Sequence, residues 1–139
     1  MDHVAILNSQ VLLEKIVSGE KSIESRWYMT RKAPWNVINK GDAVYFKVSG
    51  KPVTAKVTVE KVLQSELDYL KITSLLYQYG KKLCMDESEA VDLKDKKYGI
   101  LVFLKNPKLV EPFNINKKGY GISSAWMYVK DINKVKEKI

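Results

Sequence analysis

The amino-acid sequence predicts an α+β fold in which helices flank a small β-barrel. About five to six segments have the apolar or alternating pattern of strands, and one helical pattern precedes most of them. A second helical region interrupts the strands near the middle of the chain. Strands with segregated helices are typical of the α+β class. The length of 139 residues suits a single domain, spanning residues 1–139, with a core of its own.

The N-terminal segment predicts a strand followed by a helix. Residues 4–7 form a short apolar run, and Ser9 can cap a helix over residues 10–18. Gly19 stands just past this helix, where a left-handed backbone conformation favours glycine.

The next predicted strand, over residues 22–28, carries the most unusual charges of the chain. Glu24, Arg26 and Tyr28 share one face of it, because alternate side chains of a strand point the same way. Of the 24 basic residues only Arg26 and Arg31 are arginine. A guanidinium offers a planar, bidentate fork that lysine cannot copy. The pattern predicts a recognition site for a carboxylate, a phosphate or a base edge, unless it is only an ion pair on a solvated face.

The central part of the chain predicts a hairpin. A Gly-Asp turn at residues 41–42 precedes a strand over 43–48, and a Gly-Pro turn follows it. Strict alternation over 53–60 then indicates a strand with one buried face.

Residues 65–93 predict an acidic helical insertion between two sets of strands. Ser65 is the expected N-cap of its first helix, and Gly80 is the expected end of that helix. Asp86 can cap a second, short helix. Tyr69, Tyr77 and Tyr79 are expected to pack within this region, and a protein-interaction role of these helices is one possible function.

The last third predicts more strand and a final helix. One strand covers residues 98–104, and an Asn-Pro step breaks it before a second strand over 109–115. A basic, glycine-containing loop over 117–121 follows, and a lysine-rich helix is expected at the C-terminus.

The net charge of +8 is distributed unevenly. Residues 15–61 contain ten Lys/Arg and four Asp/Glu, and residues 94–139 contain eleven and four. Residues 62–93 contain only three Lys/Arg and six Asp/Glu. Two basic blocks flanking an acidic one favour a polyanion partner such as RNA, although a lysine-rich surface can also serve solvation alone.

The chain offers little for metal or disulfide chemistry. Cys84 and His3 are its only cysteine and histidine, which predicts no disulfide, no zinc site and no metal or cofactor. No apolar stretch has membrane-spanning length, and the N-terminal segment lacks the basic region of a signal peptide. A cytoplasmic protein without membrane contact is therefore expected.

At Gly19, Lys21, Glu24 and Arg26 the pattern G-x-K-x-x-E-x-R, with a Gly-Asp turn before the next strand, resembles the ASCH domain family of the PUA-like superfamily. The resemblance covers nearly the whole chain and is strongest in its N-terminal half. It implies a small barrel with flanking helices, RNA binding, and a cleft lined by the motif residues. Related domains hold a modified base in an aromatic-walled pocket. A bacterial branch that hydrolyses acetylated cytidine has threonine at the position of Glu24.

The predicted function is an RNA- or modified-nucleotide-binding module with a basic cleft flanked by aromatic rings. Trp35 and Trp126 are the candidates for exposed rings, and at least one of them is expected to be partly exposed and to stack on a base. The alternative is a nucleoside- or RNA-directed hydrolase that acts through Lys21 and Glu24. The expected binding residues share basic, polar or aromatic character: Lys21, Glu24, Arg26, Tyr28, Arg31, Trp35, Lys51, Lys117, Lys118, Tyr120, Ser123 and Trp126.

Overall fold

The structure, a computed structural model, describes residues 1–121 and 124–137. Ser123, one of the expected binding residues, lies outside these ranges. Seven strands and two α-helices are described, with the bounds β1 Asp2–Leu7, α1 Gln10–Ser18, β2 Ile23–Tyr28, β3 Ala43–Val48, β4 Val53–Glu66, α2 Tyr69–Leu83, β5 Tyr98–Ile115, β6 Trp126–Val129 and β7 Lys136–Glu137. Two short 3₁₀ helices cover Glu87–Leu93 and Ile132–Lys134. Among the described residues, no helix has the length and apolar character needed to cross a membrane.

The strands form one mixed sheet in the order β2-β5-β4-β3-β1-β6, with β7 added to β5. β1 and β3 pair in parallel, and the other pairs are antiparallel. The sheet curls into a half-barrel, and this α+β architecture confirms the predicted fold class. As a result β2, at one edge, lies opposite β1 and β6 at the other.

The N-terminal helix follows its sequence signals closely. The Ser9 hydroxyl accepts a hydrogen bond from the Leu12 amide, and Gly19 adopts φ 85° as the left-handed C-cap. Leu13 and Ile16 bury the apolar face of α1 in the half-barrel. These caps fix where α1 ends, and so they fix the start of the motif segment before β2.

The two faces of β2 separate as the alternation predicts. Ile23 and Trp27 pack into a cluster beneath α2, whereas Tyr28 packs against the core inside the half-barrel. Glu24 pairs with Val102 of β5 and lies on the inner side, where its side chain is buried. The charged face of this strand is therefore not a solvated surface.

The helical segment between β4 and β5 begins and ends later than expected. β4 continues to Glu66 because its last residues pair with the start of β5, and Asp68, not Ser65, caps α2. Gly80 does not end the helix, which runs to Leu83 and closes at left-handed Cys84. Gly80 instead allows a close approach, since an added Cβ would lie 2.8 Å from the Met85 carbonyl oxygen. Asp86 caps the following 3₁₀ helix, as predicted.

Two other expectations about local structure were wrong. The Asn-Pro step does not break β5; Asn106 takes φ 53° at an irregularity and pairing with β4 resumes beyond it. Up to residue 137, the last described residue, the lysine-rich tail has a 3₁₀ turn and the short strand β7 in place of the expected α-helix, with Ile132 and Val135 buried in an apolar cluster. Tyr69 and Tyr77 were expected to pack, yet both rings are exposed; Tyr79 does pack, edge-on against Phe103.

Candidate nucleic-acid interface

Three charged side chains of the motif lie in a row at the inner face of β2. Lys21 Nζ lies 4.0 Å from Glu24 Oε1, and Arg26 Nη2 lies 3.9 Å from Glu24 Oε2. Lys21 also donates a 2.5 Å hydrogen bond to the Leu83 carbonyl, at the end of α2. Lys21 and Glu24 are only 4% and 5% exposed. The row is thus a buried cation–anion–cation arrangement rather than a surface ion pair.

Two polar atoms of this row have no hydrogen-bonding partner. Among the described residues, Glu24 Oε2 and Arg26 Nε are the buried side-chain atoms left unpaired. The other carboxylate oxygen, Oε1, accepts a 2.8 Å hydrogen bond from the Ser25 amide. Buried polar atoms are nearly always paired, so these two unpaired atoms make Glu24 and Arg26 the candidate site. Chemically, this pair of atoms can receive one donor and one acceptor from a ligand.

Arg26 also joins the two edges of the curled sheet. Its Nη1 donates to the Ala125 carbonyl at 3.3 Å, and its Nη2 donates to the Ile6 carbonyl at 3.4 Å. The guanidinium carbon lies 5.2 Å from the centre of the Trp126 ring. The guanidinium is therefore held in place on one side by the β1/β6 edge while its Nε remains available.

Trp126 is fixed from behind by a buried histidine. The indole Nε1 donates to His3 Nδ1 at 3.1 Å, and His3 Nε2 lies 2.9 Å from Asp42 Oδ2. Because Nδ1 accepts the indole proton, Nε2 is the protonated nitrogen and donates to Asp42. Burial lowers the pKa of His3, and this outweighs the hydrogen bond and charge of Asp42, which raise it. A neutral His3 keeps the indole in one orientation.

Tyr28 lies at the junction of two cavities that open beside this row. One, of about 340 Å³, is lined by Glu24, Arg26 and Tyr28 together with β1 residues. The other, of about 310 Å³, is lined by Tyr28, Lys32 and Trp126, and Ala125 also borders both. We call these two adjoining cavities the motif cleft. Their volumes reach the range typical of small-molecule sites.

The rim of the motif cleft combines a phenol with a cation. The Tyr28 hydroxyl donates to the Ala33 carbonyl at 2.9 Å, and burial raises the pKa of this hydroxyl. Lys32 Nζ lies 4.6 Å from the centre of the Tyr28 ring. A third cavity, of about 260 Å³, shares Ala125 with the cleft and adds Lys117, whose Nζ donates to the Ser124 carbonyl.

The remaining expected residues lie around or away from the cleft. Trp126 is only 3% exposed, so the expectation of an exposed ring was wrong for it, although the ring still forms part of a cavity wall. Trp35 is half-buried and meets the Tyr98 ring edge-on at 5.0 Å. Arg31 is exposed and pairs with Glu66. The other three are exposed in turns outside the lining of the two cavities, namely Lys51, Lys118 and Tyr120.

Sequence reasoning did not find the roles of His3, Lys32 or the Ala125 carbonyl. His3 and Trp126 are 123 positions apart, and no local pattern links them. The carbonyl at Ala125 belongs to the backbone, so its position depends on how β6 pairs with β1. In the described ranges, no group of three or more His, Cys, Asp or Glu side chains is arranged to hold a metal ion.

Solved structures of one protein share this architecture. The structure of ASCH from Zymomonas mobilis is similar over 99% of this chain and 96% of its own, with a TM-score of 0.71 and 16% identity. A variant of that protein, with phenylalanine replacing a tyrosine, is similar over 96% of this chain and 93% of its own, with a TM-score of 0.72 and 17% identity. A second variant, with alanine replacing a serine, is similar over 96% of this chain and 91% of its own, with a TM-score of 0.69 and 17% identity. No protein-family model and no curated protein sequence matches the chain. The predicted ASCH-type fold is confirmed.

Proposed function

We propose that this ASCH-type fold binds RNA, or a modified nucleotide, by taking one unpaired base into the motif cleft. The observation that carries the proposal is that Glu24 Oε2 and Arg26 Nε are both buried without a hydrogen-bonding partner among the described residues, in two side chains that line one cavity of the cleft. Leaving two such groups without partners costs roughly 1–3 kcal/mol each, and more for charged groups. A ligand that satisfies both recovers that free energy on binding.

The edge of a nucleobase has the chemistry that these two atoms require. Each base presents hydrogen-bond donors and acceptors side by side in the plane of its ring. The carboxylate oxygen of Glu24 would accept from a ring or exocyclic N–H, and Arg26 Nε would donate to a neighbouring ring nitrogen or carbonyl oxygen. Proteins read unpaired RNA bases along these edges.

The walls of the motif cleft suit a flat ring. Tyr28 and Trp126 supply aromatic surface, and the Arg26 guanidinium lies over the Trp126 ring. Aromatic rings and guanidinium planes are the groups on which splayed-out bases stack. Because both Arg26 and Trp126 are held by other hydrogen bonds, the binding surface is formed before the ligand arrives.

Basic side chains at the rim would contact the phosphates of the bound strand. Lys32 and Lys117 border the cavities. The exposed Arg31, Lys51, Lys118 and Tyr120 are proposed as outer contacts of the same strand of RNA, and Ser123, outside the described residues, stays an expected contact. The net charge of +8 provides the attraction for a polyanion. These outer contacts would set affinity and its salt dependence, whereas the cleft would select the base.

The hydrolase alternative has weaker support from the geometry. Lys21 Nζ is committed to the Leu83 carbonyl and to Glu24, which leaves it poorly placed to abstract a substrate proton. Ser25 Oγ accepts from the Trp27 indole N–H and lies 3.7 Å from the Met85 sulfur, without a histidine beside it. An assay with acylated nucleosides and RNA would establish a hydrolase if the wild type shows turnover and Glu24→Gln loses it at a temperature at which the variant is fully folded.

The binding proposal is tested with the two arginines of the chain. Arg26→Lys keeps the charge but removes Nε–H and the fork, and Arg31→Lys makes the same change on the surface. With a fluorescent single-stranded RNA, we expect Arg26→Lys to weaken binding by about tenfold, since hydrogen bonds to charged groups contribute roughly 1.5–3 kcal/mol. Arg31→Lys should change the affinity less than threefold.

Thermal melts of both variants serve as the control for folding. Binding is compared at a temperature at which each variant is fully folded, because Arg26 also bonds the backbone of β1 and β6. Equal affinities of Arg26→Lys and Arg31→Lys would contradict the proposed role of the cleft.

A further inference from the structure

The outer face of the sheet, on the side opposite the core of the half-barrel, carries a second basic surface. Before the irregularity near residue 60 of β4, Val57 and Val59 point inward, so Lys56 and Thr58 point outward. Beyond that irregularity Val62 packs inward, which leaves Lys61 on the outer face. Lys56, Thr58 and Lys61 therefore face outward along about five residues of this strand, which places the two lysines roughly 16 Å apart.

β5 adds lysines to the same surface. In the antiparallel register Lys105 lies opposite Thr58 of β4, and Lys108 lies directly opposite Lys56. Both β5 lysines are exposed. Like charges directly opposite each other on neighbouring strands destabilise a sheet, so this pair lowers the stability of the protein alone. A bound anion would relieve the repulsion.

At the end near α2 the surface deepens into the largest of the cavities, about 660 Å³. Three lysines from three different elements line it: Lys40 before β3, Lys61 on β4 and Lys82 in the last turn of α2. Glu60 is the one acidic side chain among the described lining residues. Phe103 contributes an aromatic ring with Lys61 over it at 5.1 Å.

None of these lysines is neutralised within the described part of the chain. The ion pairs found there involve the N-terminal amine, His3, Lys21, Arg26 and Arg31, and none includes a lysine of the outer face. We name this surface the outer lysine track, and it consists of Lys40, Lys56, Lys61, Lys82, Lys105 and Lys108. Its unpaired charges are available to a partner with regularly spaced negative charges.

We propose that the outer lysine track is a second contact surface for RNA, which binds the sugar-phosphate backbone and reads no bases. The inference rests on the proposed function, since the motif cleft selects RNA among possible polyanions. A row of lysines without acidic partners among the described residues suits phosphates, which carry one charge per nucleotide. Lys82 also connects the two surfaces, because its carbonyl accepts the Ser22 amide just before β2.

The experiment measures the salt dependence of affinity for a single-stranded RNA long enough to reach both surfaces. Each neutralised phosphate contributes roughly −0.7 to the log–log slope on single strands. We expect Lys105→Gln/Lys108→Gln to make the slope shallower by about 1.4. The matched control is Lys71→Gln/Lys94→Gln, which removes the same charge from the helical segment and should leave the slope unchanged. Melting temperatures establish that both double variants fold, and Lys108→Gln alone should melt no lower than the wild type.

The outcomes separate this inference from the proposed function. A slope unchanged in the track variant, with binding still lost in Arg26→Lys, overturns the track and leaves the cleft. A shallower slope in the track variant, with Arg26→Lys binding as well as Arg31→Lys, supports the track and removes the cleft. If polyglutamate binds as tightly as RNA, the partner is an acidic protein and the RNA inference is overturned. The absence of RNA binding at low salt would overturn it too.

Discussion

The two arginines of the chain form the same three-part arrangement in two different surroundings. Arg26 pairs with Glu24 and lies over Trp126, while Arg31 pairs with Glu66 and lies over Tyr98, at ring distances of 5.2 and 5.3 Å. The side chain of Arg26 is 13% exposed, whereas that of Arg31 is 61% exposed.

Burial decides what each arrangement can do. Water completes the hydrogen bonds of Arg31, and exposed pairs of this kind contribute roughly 0–1 kcal/mol. Arg26 is far less accessible to water, and its Nε and the Glu24 Oε2 have no hydrogen-bonding partner in the described ranges, so under the proposed function they take their partners from a ligand. The same residue types thus form the proposed recognition site in one place and an exposed ion pair in the other.

The largest expected difference between the two arrangements is in stability. Glu24→Gln would leave Lys21 and Arg26 as buried cations without a counter-charge, which costs roughly 3–5 kcal/mol of unfolding free energy. Glu66→Gln makes the same change in the exposed pair and should cost roughly 1 kcal/mol or less. Urea denaturation of the two variants measures both, and equal losses would show that Glu24 is not the centre of a buried charge row.

The second prediction concerns the support of Trp126, which has no counterpart beside Arg31. The pKa of His3 is lowered in the folded protein, so the unfolded chain binds a proton more readily than the folded one. Its contribution to stability is therefore complete above the ordinary pKa of about 6.5 and is lost as the pH falls below it. We expect the melting temperature to fall between pH 7.5 and pH 5.5.

His3→Gln isolates this effect because His3 is the only histidine. The variant should show a flatter dependence of melting temperature on pH across that range. If the melting temperature of the variant depends on pH as that of the wild type does, other groups cause the pH dependence and the His3–Trp126 contact has no part in it.

The smallest expected effect extends the comparison to exposed lysines that have no acidic partner. Lys108→Gln removes the repulsion from Lys56 across the β4–β5 pair and should raise the unfolding free energy by roughly 0.2–1 kcal/mol. Urea denaturation detects the change, with Lys94→Gln, which lies outside the strands, as a control. A loss of stability would mean that Lys108 makes a favourable contact in the sheet.

The sequence predicts much of this fold because its strongest signals are local. Ser9 and Gly19 bound α1, and alternation in β4 assigns its buried face, as the structure confirms. The errors arose where contacts distant in sequence decide the outcome. Pairing with β5 extends β4 past Ser65, and pairing with β5 also holds Lys136 and Glu137 as a strand where a helix was expected.

The candidate site shows the same division. Alternation predicts Glu24 and Arg26 on one face of β2, the family resemblance adds Lys21 to the same cleft, and the structure brings the three side chains together. Their burial, and the contact of Trp126 with His3, depend on how the sheet curls, which no short sequence window encodes. The expectation for Trp126 failed for this reason: it lies in a basic region, yet its ring fills the closed edge of the half-barrel.

The central claim, that a base occupies the motif cleft at Arg26, is tested most directly by NMR of the arginine side chains. With two arginines in the chain, the Nε–H region contains two signals, which Arg31→Lys assigns. On titration with single-stranded RNA and with each ribonucleoside monophosphate, we expect the Arg26 Nε–H signal to shift and to become protected from solvent exchange with at least one of them. The Arg31 signal should remain nearly unchanged. A titration in which RNA binds while the Arg26 signal stays fixed, or in which the Arg31 signal alone moves, would contradict the account.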